Sequence, residues 1–306
     1  MGSSERTAGR VDAAGYASVA ICALVWGTTW YAITFQLGAT HAAVSVALRF
    51  GFAALGLALV ARLMKSSLRL TRAQHLAAAG QGLFAFSISY FFVYAAEEQI
   101  ASAVVAIIFA ALAFVNLILF RLLSGQKAAA GAWIGAGLGV IGVAALSAGE
   151  IMKADLGDKA ALGLAFGLTA VLASALGNWF AWRAQRAGAA VIPATAWAMG
   201  YGTVFLVAFI TVAGISWAVD WTASYIASLV YLTLIGSVVT FGLYFTLARR
   251  HGYALASYIS ALTPPIAMVV SVIFEGARFG WPALVGLGLV LAGQVCLMRA
   301  PKKSAA

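Results

Sequence analysis

The sequence predicts an all-α integral membrane protein: ten transmembrane helices, arranged as two inverted five-helix repeats around a central cavity. Three observations carry this. The 306 residues are 63% apolar and only 9% charged, with a mean hydropathy of +0.98, against about 25% charged residues in soluble domains. The Lys and Arg residues alternate from one connection to the next. A set of glycines recurs at a fixed offset of 151 residues.

The elements follow in order. Residues 1–15 read as a polar cytoplasmic tail. Apolar runs at 16–36, 43–63, 75–95, 100–120 and 131–148 make the first repeat, 16–148. Residues 149–159 read as an extracytoplasmic linker. Runs at 160–182, 194–214, 223–247, 253–274 and 281–298 make the second repeat, 160–298, and 299–306 form a cytoplasmic tail. A bilayer core about 30 Å thick takes roughly 20 helical residues per crossing. Isolated strands would leave backbone groups unpaired in lipid, so each run is read as a helix. The first run is longer than a signal-peptide core and lacks a convincing cleavage site, so it is expected to stay as a helix. Only Glu97-Glu98-Gln99 separates the third run from the fourth, and two carboxylates are costly enough in hydrocarbon to force a loop there.

Orientation follows from the charges. Arg6 and Arg10, then Arg62, Lys65, Arg69 and Arg72, lie on one side of the membrane. Arg121 and Lys127, Arg183 and Arg186, Arg249 and Arg250, and finally Arg299, Lys302 and Lys303 join them there. The other side holds Lys153, Lys159 and Arg278, and Arg49 is alone within a run. The excess of cations on the cytoplasmic side of membrane proteins places both termini in the cytoplasm and makes the helix number even. Gly135, Gly137 and Gly142 recur as Gly286, Gly288 and Gly293, and Gly125 as Gly276. The offset covers five helices, an odd number, so the second copy crosses in the opposite sense. Inverted repeats of this kind are a transporter architecture, with the substrate site near midplane between the halves.

Several classes are excluded. The basic residues punctuate apolar runs instead of forming a patch, so the net charge of +10 does not indicate nucleic acid. Cys22 and Cys296 lie within apolar runs and indicate neither a disulfide framework nor a metal site. HExxH, GxSxG, Walker and CxxC patterns are missing, and the one SxxK match, Ser124 to Lys127, falls in a basic loop. No enzyme activity, cofactor or metal is expected. The partners are membrane lipid and a small-molecule substrate, and the oligomeric state is left open.

The chain resembles the drug/metabolite transporter superfamily, as two tandem EamA-type halves, over residues 16–298. The carrying residues are Trp26-Gly27-Thr28-Thr29-Trp30, Arg49-Phe50, Pro264, Glu275 and the glycine run 286–293. Tyr90, Tyr94 and the surrounding aromatics look most like YddG-type amino acid exporters. Ala113 and Ser124 depart from the pattern where Pro and Glu stand in the family. The resemblance implies export of amino acids, aromatic ones included, and related metabolites across the inner membrane. It also implies a cavity lined by helices 1, 3, 4, 6, 8 and 9, with helices 5 and 10 peripheral.

A zwitterionic substrate needs partners for its carboxylate and its ammonium, and a surface for its side chain. Polar and aromatic residues within apolar helices are the candidates, because such groups are costly against lipid. They are Trp26, Thr29 and Trp30 in the first run and Ser87, Tyr90 and Tyr94 in the third. Asn178, Trp179 and Trp182 follow in the sixth, Tyr244 in the eighth and Tyr258 in the ninth. Pro264 and Pro265 are the gating candidates, since a proline removes a backbone donor and favours a kink. Arg49, Glu97, Glu98 and Glu275 are read as structural charges, with Arg49 expected to pair with Glu97 or Glu98, snorkel outward, or meet a substrate carboxylate. Trp217, Trp221, Tyr225 and Trp281, near helix ends, are read as an interfacial belt. No carboxylate is expected at midplane, which favours facilitated diffusion or exchange over tight ion coupling. Export of another metabolite or a drug, a proton-coupled carrier, an ungated pore and a membrane-embedded enzyme are the alternatives.

Overall fold

The structure is a computed structural model that describes residues 13–126, 129–151, 157–251 and 253–299. Among the described residues there is no strand. The helical rods are α1 (Ala13–Thr34), α2 (Ala42–Leu63), α3 (Arg72–Glu97), α4 (Ser102–Ser124), α5 (Ala130–Ile151), α6 (Gly157–Arg186), α7 (Val191–Val212), α8 (223–251), α9 (Tyr253–Phe274) and α10 (Trp281–Arg299). Seven are long and apolar enough to cross a bilayer: α1 to α4, α6, α7 and α8. Shorter apolar stretches lie in α5 (Ala130–Leu146), α9 (Ala261–Phe274) and α10 (Trp281–Cys296).

Local chemistry sets the ends of the rods. His41 caps α2 by accepting from the Ala43 N–H at 3.2 Å, and Thr71 and Gln74 form a reciprocal capping box at the start of α3. Gly125 and Gly276, which correspond at the 151-residue offset, end α4 and α9 with φ of 64° and 65°. That left-handed turn strains any residue carrying a Cβ. Between α3 and α4 the chain turns at residues 98–101. Glu97, expected in this loop, is instead the last residue of α3 and only 7% exposed.

Both α3 and α8 contain a widened, π-type stretch, over Gly82–Ser89 and Tyr231–Val239. Ser87 donates to the carbonyl of Gly82 at 3.2 Å and Ser237 to that of Leu232 at 2.9 Å, each reaching five residues back. The two bonds lie 150 residues apart, so the repeat legible in the glycines extends to individual hydrogen bonds. A break at Ala111 divides α4, whereas α9 runs unbroken through Pro264 and Pro265.

Packing joins the halves more than it closes each one. The most extensive contacts are α5 with α10, α3 with α6, α2 with α7, α3 with α7 and α1 with α9. The glycine runs make the α5–α10 seam across the halves. A Cβ on Gly142 would lie 2.6 Å from the Gly286 carbonyl oxygen, and one on Gly286 would lie 2.6 Å from that of Gly142. Only a hydrogen side chain allows backbones this close.

The outer surface of α2 presents Phe52, Leu55, Leu59 and Leu63, and Trp217, Trp221 and Trp281 are exposed. Tyr225 does not join this belt. It is 1% exposed, and its hydroxyl lies 3.0 Å from Ser45 Oγ, because an interior hydrogen-bond partner holds the phenol inward.

Candidate functional site

A cavity of about 480 Å³ lies between the halves, within the roughly 300–1,000 Å³ range of small-molecule sites. The expected helices all line it: α1, α3, α4, α6, α8 and α9. Arg49 of α2 and Val191, Ala194 and Thr195 of α7 join them, and the lining includes no residue of α5 or α10. At one end it reaches Gln185 and Val191, where the last turn of α6 carries Arg183 and Arg186. At the other it stops at Ile33, Val93 and Ala106, beneath Glu97 at the end of α3 and Glu98 in the turn that follows.

Aromatic rings form much of the wall. The Trp26 indole N–H donates to the Gly236 carbonyl at 3.1 Å, which fixes the ring, and the ring packs on Phe241 and Tyr244 with centroids 5.5 Å away in each case. Trp30 meets Phe109 at 5.4 Å. Tyr90 lies edge-on to Phe50 at 4.6 Å. Trp182 meets Phe120 at 5.7 Å and carries the Arg186 guanidinium over its face at 5.1 Å. Neutral polar groups punctuate the wall. Thr29 donates to the Trp26 carbonyl at 2.8 Å, and Asn178 donates to Asn116 Oδ1 at 3.4 Å.

The structure thus brings Trp26, Thr29, Trp30, Tyr90, Asn178, Trp182, Tyr244 and Pro264 to one cavity. Three other substrate-binding candidates lie elsewhere. Ser87 is buried, and its hydroxyl serves the carbonyls of Gly82 and of Gly202 (2.8 Å) between α3 and α7. Trp179 points away, donating to Ser124 Oγ at 2.8 Å beneath the Arg183 guanidinium. Tyr94 is fully buried above the cavity, donating to Gln36 Oε1 at 2.6 Å. With Ser45 and Tyr225 this bond closes that end. Pro265 lies beside Pro264 in α9 but is not part of the lining. The Tyr258 side chain lies outside the described residues.

The charges are placed unevenly. Arg49, 3% exposed, lies in the cavity wall with its guanidinium 4.9 Å from the Tyr90 ring centroid and 5.2 Å from that of Phe50. It makes no hydrogen bond to Glu97, whose two carboxylate oxygens are buried without a hydrogen-bond partner. Glu97, Glu98 and Glu275 share a separate hollow of about 330 Å³ beyond the Tyr94 closure. There Ser102 donates to Glu275 Oε2 at 2.6 Å. Partial burial lifts the Glu98 carboxyl above its ordinary range, opposed by the nearby His41 charge.

Asn116, Gln81 and Gln185 escaped the sequence reading. Each is an amide within or at the end of an apolar run, the signal that singled out Asn178.

An uncharacterized inner membrane transporter, YicL, of Salmonella typhimurium (strain LT2) is 30% identical over 106 residues, which is 35% of this chain and 35% of the relative. The match thus spans about a third of that relative's length. One solved crystal structure is similar over 92% of this chain and 95% of its own, with a TM-score of 0.64 and 17% identity, a likeness of fold alone. The EamA-like transporter family matches residues 13–148 and again 161–299, so the chain belongs to that family, within the drug/metabolite transporter superfamily, and is built from two EamA-like halves.

Proposed function

We propose that the chain is an inner-membrane carrier that exports amino acids, aromatic ones included, and related small metabolites by alternating access. In this reading α5, α9 and α10 also cross the membrane, giving ten crossings in two inverted halves with both termini in the cytoplasm. The unequal distribution of Lys and Arg supports that orientation.

One observation carries the reading: an aromatic-walled, polar-punctuated cavity between the halves that reaches the basic end and stops short of the acidic end. In the proposed orientation this is a cytoplasm-facing state. A substrate enters past Gln185 and Val191 and lays its side chain among Trp26, Trp30, Phe109 and Tyr244. Aromatic faces attract its ammonium by about 0.5–2 kcal/mol each. Release requires the Tyr94–Gln36 closure to part and the basic end to shut. Pro264, in the cavity wall, and Pro265 beside it are the proposed points of bending, because a proline leaves the carbonyl one turn before it without its helical donor. The cavity's polar groups other than Arg49 are neutral, and the glutamates named above occupy a separate hollow. That separation supports facilitated diffusion or exchange.

The test is transport by the purified protein in liposomes with no imposed proton gradient, using a competition panel of all twenty amino acids. Saturable uptake with counterflow, competed most strongly by aromatic amino acids, is expected. Absence of any amino acid flux would overturn the substrate assignment, and flux seen only with a proton gradient would overturn the uncoupled mechanism.

A further inference from the structure

Arg49 is a buried cation in the cavity wall with unused hydrogen-bonding capacity. It is 3% exposed, and its Nε and Nη1 are buried without a hydrogen-bond partner, so an anion in the cavity reaches them once the guanidinium turns outward or the wall around it parts. Arginine does not escape such a position by losing its proton. Its opposite charge within electrostatic reach is Glu97, yet neither oxygen of that carboxylate accepts a hydrogen bond from it. The rings of Tyr90 and Phe50, with centroids 4.9 and 5.2 Å away, hold the guanidinium in place beside the Tyr94 hydroxyl and leave Nε and Nη1 without partners. A buried charge is costly unless paired, so this position favours an anion arriving from the cavity. The planar N–H edge of a guanidinium matches a carboxylate in a two-bond geometry that a lysine ammonium does not offer.

We infer that Arg49 is the carboxylate subsite of the central cavity, so that the transported solutes carry a free carboxylate. Trp30 and Phe109 take the apolar part of the same molecule, and the Asn116–Asn178 pair lies further along the cavity toward the basic end. The inference rests on the cavity being the transport site, and it narrows the substrate class to carboxylates whether or not they are amino acids.

The test compares binding of phenylacetate with that of its neutral isostere phenylacetamide. Quenching of intrinsic tryptophan fluorescence in the purified full chain reports each. A hydrogen bond to a charged group supports a preference of about tenfold or more for phenylacetate, and Arg49→Gln should abolish it. Arg49→Lys, which keeps the charge without the fork, should retain part of it. Equal binding of the two compounds by the wild type would overturn the proposal, as would a preference that survives in Arg49→Gln. The wild-type comparison needs no variant, so it decides even where Arg49→Gln does not fold. A clear preference for phenylacetate with no flux of any amino acid would sink the export reading and leave the subsite standing. Amino acid flux without the preference would do the reverse.

Discussion

Removing the Tyr94 hydroxyl tests the closure at the acidic end of the cavity. Tyr94 and Gln36 are both 0% exposed and joined by a 2.6 Å bond, and Gln36 Nε2 already lacks a partner. In Tyr94→Phe the remaining carboxamide oxygen would lose this donor as well. Side-chain hydrogen bonds between membrane helices average about 0.6 kcal/mol and reach about 1.7, while a buried polar group left unsatisfied costs about 1–3 kcal/mol. A loss of about 1–2 kcal/mol is therefore expected. If this bond opens when the acidic end opens, the same loss shifts the closed-to-open ratio by roughly tenfold, since 1.4 kcal/mol is a factor of ten. Two measurements check it. In a double-mutant cycle of Tyr94→Phe and Gln36→Leu, the double variant should be less destabilised than the sum of the singles, because neither partner is then orphaned. Labelling of Ile33→Cys by an impermeant maleimide applied to the acidic end, the extracytoplasmic face in the proposed orientation, should quicken in Tyr94→Phe. Additive singles, within about 0.3–0.5 kcal/mol, together with unchanged labelling, would refute the reasoning.

Other outcomes follow from the same geometry. Gly142→Val should destabilise the protein by about 1–3 kcal/mol, the usual cost of overpacking, because the added Cβ meets the Gly286 carbonyl oxygen at 2.6 Å; thermal unfolding in detergent measures this. Trp30→Ala should weaken competition by aromatic amino acids several-fold, whereas Trp179→Ala, which removes a ring outside the cavity, should lower stability and leave the order of competitors intact. The raised Glu98 carboxyl binds a proton more tightly folded than unfolded, so its contribution to stability is present at low pH and is lost as pH climbs through the interval above the ordinary carboxylate range. Glu98→Gln should flatten that part of a stability-against-pH curve.

The positions of the rods were legible because hydrocarbon leaves the backbone few choices and apolar runs report them directly. Part of the repeat was legible because the α5–α10 seam leaves no room for a side chain at Gly142, Gly286 and Gly293, whereas Gly137 and Gly288 meet open space. What a sequence without coordinates does not report is which neighbour a side chain meets. Ser87, Tyr90 and Tyr94 share a face of an ideal helix, yet the widened stretch at Gly82–Ser89 changes the periodicity, and Ser87 turns toward α7. Tyr94 stands one turn above Tyr90 and so lies above the cavity instead of in it. Trp179 follows Asn178 by about 100° of rotation and faces Ser124, whereas Trp182, four residues beyond Asn178, returns to the cavity. Arg49 was recognised as costly, but the sequence could not distinguish a glutamate partner from an open wall. Asn116 was readable by the criterion that picked Asn178.

The seam between α5 and α10 bears on how the molecule is made. About 150 residues of synthesis separate its two members, and if α5 crosses the membrane as proposed, its small-residue face lacks its α10 partner until the second half emerges from the ribosome. The first half therefore waits, inserted but unfinished, for a segment still being translated. A block in that late stage would strand a species that has reached the bilayer yet has no finished interior, and quality-control proteases would meet it there.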